Sequence, residues 1–227
     1  MFKVIRSEKP KDWTNTNYKD PLVVKQLKRD FFSKCYICEL KDFGNVNVEH
    51  FVPHLNQDIN LMIEWTNLYY ACSHCNGIKG ARHKELLDCC NIEHNVDANI
   101  GLYAPTVPNG KVVIENLSTP NSPHYELTNK TIELLEQCYN NSNNGTQQVS
   151  HVYLVQQIHK EYSHLWQIRF DLLLNKDRLP AREFNELIEK ITNMLKPNYP
   201  FSAFWRTFIK NDSQLLEILE ENNIFIS

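Results

Sequence analysis

The chain has 227 residues, of which 42% are hydrophobic and 22% charged, and its formal net charge is −3. That composition supplies a core and argues against a protein that grips nucleic acid with its whole surface. No stretch is apolar and uncharged over the ~18 residues a membrane span needs, and the opening MFKVIRSEKPKDW is charged from Lys3 onward, so a soluble, cytoplasmic protein is expected.

The charge is uneven. Residues 1–34 hold nine Lys/Arg against four Asp/Glu, and residues 35–100 hold four against nine. Within the first segment, DPLVVKQLKRDFF predicts a helix, with Asp20 as N-cap, Pro21 in the first turn and a stripe of Leu22, Val23, Leu27, Phe31 and Phe32. The helix runs into KCYICE. NVNVEHFVP then alternates as a strand that stops at Pro53, and LMIEWTNLYYACSHC holds a second apolar stretch. CNGIKGARHKELLDCC reads as a short helix weakened by Gly77 and Gly80.

Farther on, Asn109-Gly110 before KVVIENL signals a hairpin, TPNSP (119–123) a loop, LTNKTIELLEQCY a helix and NNSNNGTQQ (140–148) a flexible loop. From Thr146 to Leu179 there is neither Gly nor Pro, and Val152, Val155, Ile158, Tyr162, Leu165, Ile168 and Leu172 recur every three or four positions. One long amphipathic helix is expected, roughly 40 Å if it runs about 26 residues. Two more are expected near 181–195 and 213–222. Tyr162, Trp166, Phe201, Phe204 and Trp205 crowd this region, either as an exposed interface or as its core. The fold class is α+β in three parts: an arm and helix (1–34), a cysteine-bearing core (35–100), and a hairpin with a helical region (101–227).

Seven cysteines include two C-x-x-C pairs, Cys35/Cys38 and Cys72/Cys75. Each pair lets two thiolates meet one ion from a tight turn, and two pairs complete a tetrahedron, the pattern of a structural Zn²⁺ with no open position. The alternative is a redox pair with buried thiols. Cys89, Cys90 and Cys138 read as core residues, and His74 as an exposed knuckle residue.

Glu49-His50 and His54 form the second constellation. A zinc-protease site is excluded, because it needs His-Glu-x-x-His on one helix, and Pro53 breaks any helix through His54. A neutral imidazole near its ordinary pKa of ~6.5 suits His50 to accept a proton, and a plain strand histidine is the alternative. Asn67, Asn76 and Lys79 follow downstream; Lys79 is three residues beyond Asn76 on one helical face and so placed to touch a phosphate, with solvated surface as its alternative. His54 either lines the site or supports it from behind.

The order of KCYICE, VEHFVPH and WTNLYYACSHCNGIKG resembles the HNH nuclease family, in its four-cysteine zinc subtype, over roughly residues 34–84. FKVIRSEKP and YPFSAFWRTFIK extend a weaker resemblance to the HNH subunits of Septu-type antiphage systems, the PtuB-like proteins, some coupled to retrons. The resemblance implies a ββα-metal fold and nucleic-acid phosphodiester hydrolysis, with DNA favoured over RNA. It makes His50 the general base, Glu49 and Asn76 ligands of a catalytic Mg²⁺ or Mn²⁺, and Asn67 the residue that ties down the histidine's loop. Glu49 departs from the family's more usual Asp, and Asn76 from its frequent His. It further implies an ABC/SMC-like ATPase partner docked on the helical half, and a retron reverse transcriptase with its msDNA where a retron is present. A zinc-ribbon binding module that has lost catalysis is the rival class.

Overall fold

The computed structural model describes residues 1–107, 110–141, 150–175 and 178–226. It is an α+β protein with two small antiparallel sheets. Helix α1 (Pro21–Asp30) starts where the Asp20 carboxylate accepts from the Leu22 amide and Pro21 presets the first turn. Val23, Leu27 and the following Phe31 are fully buried, whereas Leu22 and Phe32 reach solvent, so the apolar stripe is narrower than predicted. After α1 the backbone turns through two left-handed residues, Phe32 and Ser33, which deliver Lys34 and Cys35 to the interior.

Strand β1 (Val46–His50) is followed by the short helix α2 (Ile59–Ile63), capped by Asp58, and then by β2 (Leu68–Cys72). β1 and β2 pair antiparallel, with Glu49 opposite Tyr69 and His50 opposite Leu68. β2 is buried along its whole length and passes without a gap into α3 (Ser73–Lys79). The predicted helix over 75–90 is therefore shorter and begins earlier. Gly77 is accommodated within it, and Gly80 ends it at φ +46°, a left-handed value that costs glycine little.

Helix α4 (Val96–Asn99) leads to β3 (Ile100–Tyr103), which pairs antiparallel with β4 (Val113–Asn116). The KVVIENL run thus forms a hairpin strand, while Asn109 of the expected turn lies outside the described residues. Helix α5 (Tyr125–Asn140) and the 24-residue α6 (His151–Leu174) follow as predicted; residues 142–148 of the expected loop between them lie outside the described residues. Helices α7 (Ala181–Leu195) and α9 (Ser213–Glu221) also match, but α8 (Ser202–Lys210) was not foreseen. It opens from Phe201 in a left-handed conformation without a side-chain cap, whereas the equally short α9 begins at the capping Asp212.

The buried apolar residues form one connected cluster running from Phe2 through β2 and α3 to α9. The helical region is stitched to the cysteine-bearing part: the Tyr139 hydroxyl donates to the Cys38 carbonyl at 2.9 Å, and the Lys34 ammonium donates to the Pro197 carbonyl at 2.8 Å. Phe201, Phe204 and Trp205 are at most 1% exposed and belong to the core, while Tyr162, stacked on Trp205, and Trp166 are half-buried against it. Among the described residues, no helix is long and apolar enough to cross a membrane.

Candidate metal centre and adjoining cleft

Cys35 and Cys38 sit in a tight turn between Lys34 and Lys41, which are joined by a β-bridge. Cys35 donates its amide to the Leu40 carbonyl, and Glu39 turns back on the Cys35 carbonyl with φ +57°. Cys72 ends β2 and Cys75 lies in the first turn of α3, with the Cys75 amide 3.5 Å from the Cys72 sulfur. The four Sγ atoms lie within 4.8 Å of one another, and all four residues are fully buried. The Cys38–Cys72 separation is 3.8 Å, which matches the ~3.8 Å edge of a tetrahedron with metal–sulfur bonds of ~2.3 Å. All four thiols are free of disulfides. Burial pushes the Cys38 and Cys75 thiols well above their usual range, whereas at Cys35 hydrogen bonds from Cys38, Cys72 and Cys75 override burial and lower it. The donor set fits a structural metal ion.

Cys138 is buried beside the cluster. Cys89 and Cys90 directly follow Asp88 and make with it a second close group of potential ligand atoms, in which Asp88 Oδ1 already accepts from the Tyr69 hydroxyl and the Cys90 amide. His74 is corrected from the surface to the interior. It is 2% exposed, with Nε2 2.9 Å from the Cys138 carbonyl, because α5 covers this face of α3.

A cleft of about 260 Å³ opens beside the cysteine cluster, lined by Glu49, His50, His54, Asn76 and the turn after α3 at Gly80–Ala81. Four of the residues singled out in the sequence therefore share one cavity. Cys75 and Asn76 are consecutive on α3, and the ~100° step between them directs one to the sulfur cluster and the other to the cleft. Burial is the chief influence on His50 and lowers its pKa. Its Nε2 sits 2.9 Å from the Met62 carbonyl, an acceptor, so Nε2 carries the proton and Nδ1 keeps a lone pair. Its ring lies between those of Tyr18 and His54, with centroids 4.7 and 4.4 Å away. His54 Nδ1 accepts from the Asn56 amide, which places the His54 proton on Nε2.

Asn67 does not line the cleft. It is 5% exposed and clamps the loop behind it: its Oδ1 accepts from the Val52 amide, and its Nδ2 donates to the carbonyls of Val52 and Leu61. One side chain thus holds the chain just after His50 and just before Met62, the residue whose carbonyl orients His50.

Lys79 departs from expectation. Its side chain is fully buried beneath the cleft, and its ammonium donates to Glu49 Oε1 at 2.7 Å and to the His50 carbonyl at 2.9 Å. Both hydrogen bonds point into the protein, so Lys79 is a prop for the Glu49-His50 pair and not a surface contact for phosphate. Burial raises the Glu49 pKa, while Lys79 opposes that shift. Tyr18 and Met62 escaped the sequence reading. Neither belongs to a local motif, and only the folded chain brings the arm and α2 to His50.

Comparison with family models, with curated proteins and with solved structures gave no match to this chain.

Proposed function

We propose that this chain is a metal-dependent endonuclease of the HNH type, hydrolysing nucleic-acid phosphodiester bonds at the Glu49-His50-His54-Asn76 cleft. The observation that carries the reading is the Nε2 bond from His50 to Met62, made at the mouth of a cleft that also holds two hard oxygen donors. It supports a ββα-metal arrangement in which β1 carries Glu49-His50, β2 bears the second cysteine pair and α3 presents Asn76.

In this reading His50 Nδ1 takes a proton from a water aimed at phosphorus, and burial keeps the imidazole neutral for that step. His54, protonated on Nε2, donates to a phosphate oxygen. Lys79 holds the Glu49 carboxylate and the His50 backbone in place, and Asn67 fixes the loop. Glu49 keeps one oxygen beyond its bond to Lys79, and Asn76 offers an amide oxygen; two such donors suit Mg²⁺ or Mn²⁺, which retain much of their water. When bound, that ion supplies charge neutralisation at the phosphate and at the leaving 3′ oxygen. Zn²⁺ is the ion proposed for the four thiolates, as a structural centre.

His50→Ala is the test, on plasmid DNA and total RNA side by side. The expected result is a loss of about 10²–10⁴ in cleavage rate with metal content unchanged. Full cleavage by this variant overturns the assignment. An ATPase partner on the helical half rests on the resemblance of the two chain ends, and co-elution after co-expression tests it.

A further inference from the structure

A second concave surface lies at the far end of α1 and shares no lining residue with the cleft at His50. This open cleft of about 370 Å³ is lined by Lys25, Lys28, Arg29, Phe32, Ser33 and Lys41, together with Asn198. Four of those side chains are cationic and none is acidic. Lys25, Lys28 and Arg29 are exposed on α1 at positions i, i+3 and i+4, the spacing that puts them on one face. Arg29 is held by the Gln26 side chain, and Lys41 donates to the Asn198 carbonyl at 3.0 Å. Lys25 and Lys28 make no ion pair among the described residues. The acidic residue of this stretch, Asp30, points the other way, into a buried set of bonds with Ser7 and Arg6. Four clustered like charges repel one another, and none of the four makes an ion pair among the described residues, although the exposed Asp42 adjoins Lys41. Phe32, 37% exposed and forced outward by its left-handed backbone, adds an aromatic wall.

We infer that this cleft binds the phosphodiester backbone of the nucleic acid on which the neighbouring centre acts. The inference rests on the proposed nuclease reading and names where that substrate is gripped. An uncompensated cationic concavity beside an exposed aromatic is the combination that single strands use, with phosphates on the charges and a base against the ring. The position also fits. α1 begins three residues after Tyr18, whose ring touches His50, and Lys25, Lys28 and Arg29 lie about 6–12 Å along its axis from that start. It also reconciles a net charge of −3 with a polyanionic substrate, since the grip is concentrated in one place.

The test uses the full chain carrying His50→Ala, so that binding is read without cleavage. Fluorescence anisotropy is followed with a labelled 20-mer, as a single strand and as a duplex, across a salt series. The comparison is the same protein with Lys25→Gln, Lys28→Gln and Arg29→Gln, exposed sites where glutamine keeps the helix. The expected result is at least a tenfold loss of affinity at low salt. The log–log salt slope for the single strand should also fall by about 2, the share of three phosphate contacts. Unchanged affinity and slope in the triple variant overturn the inference, as does failure of the parent to bind either oligonucleotide. Cleavage by the otherwise wild-type chain is measured separately. Cleavage that persists with an unaltered KM in the triple variant sinks the cleft and leaves the nuclease reading standing, whereas binding without any cleavage sinks the reading and leaves the cleft.

Discussion

The Lys79 ammonium lies 2.7 Å from the Glu49 carboxylate, and Lys79 is wholly inside the protein. The pair links the last turn of α3 to the end of β1, so it couples the helix that carries Asn76 to the strand that carries His50. Replacing Lys79 by Met keeps the volume and leaves a buried carboxylate without its partner. Urea denaturation is expected to show a loss of about 3–5 kcal/mol, the usual cost of stranding one member of a buried pair. The double variant Lys79→Met, Glu49→Gln is expected to regain much of it, because no charge is then left alone. Equal stability of the single variant and the parent would contradict the coupling.

Asn67 is expected to matter for His50 although the two side chains do not touch. Asn67→Ala leaves the Val52 amide and the carbonyls of Val52 and Leu61 unpaired, at about 1–3 kcal/mol for each group that water cannot reach. The released loop carries the Met62 carbonyl away from His50 Nε2. In nitrogen-resolved NMR the His50 ring should lose its single tautomer, and a ring spectrum unchanged from the parent would exclude this positioning role.

The cysteine cluster predicts one equivalent of metal per chain, with zinc as the ion found by elemental analysis. Cys72→Ser is expected to give unfolded or insoluble protein, since filling such a site and folding are one process. Cys138→Ala is the matched control: its thiol is buried beside the cluster but outside the set of four, so metal content should stay at one equivalent. A drop to less than half an equivalent in that control would move Cys138 into the ligand set.

The buried Lys34–Glu39 pair predicts acid sensitivity. Burial by itself would raise the Glu39 carboxyl, but the Lys34 ammonium at 2.9 Å overrides it and holds the pKa at about 2. Burial pulls Lys34 down to about 8 in spite of Glu39, so at neutral pH the pair is still charged. A carboxylate with a depressed folded pKa contributes stability above its ordinary value near 4.5, and the contribution is lost as the pH falls from there toward 2. Denaturation midpoints measured from pH 6 to pH 3 should therefore fall more steeply for the parent than for Glu39→Gln. Glu39→Gln should be the less stable of the two at pH 6. Parallel curves would remove Glu39 as the cause.

The cysteine ligands and the lining of the cleft were legible in the sequence, because each signal is local. Two residues between thiols, or one helical step between Cys75 and Asn76, fixes a relative direction without knowledge of the rest of the chain. His74 and Lys79 were misplaced for the opposite reason. Whether a helix face meets solvent depends on what covers it, and the covers are the Cys138 carbonyl of α5 and the Glu49 carboxylate of β1. The aromatics of α8 were ambiguous on the same ground, since Trp205 is core because β3, α7 and α9 pack around α8 and Tyr162 of α6 stacks on its ring. Tyr18 had no signal at all, being brought to His50 by the path of the arm.

The short helix α3 has one further consequence. Within seven residues it holds one sulfur of the four-cysteine cluster, an amide that faces the cleft, and the ammonium that props Glu49. On the proposed reading, all three depend on this one short helix being formed. A chain that has not acquired its ion lacks the rigid peg on which both Asn76 and Lys79 are mounted, so it is inert and not merely slow. On that reading, filling the cysteine cluster would act as a safety catch, with newly made protein inactive until its ion completed the helix.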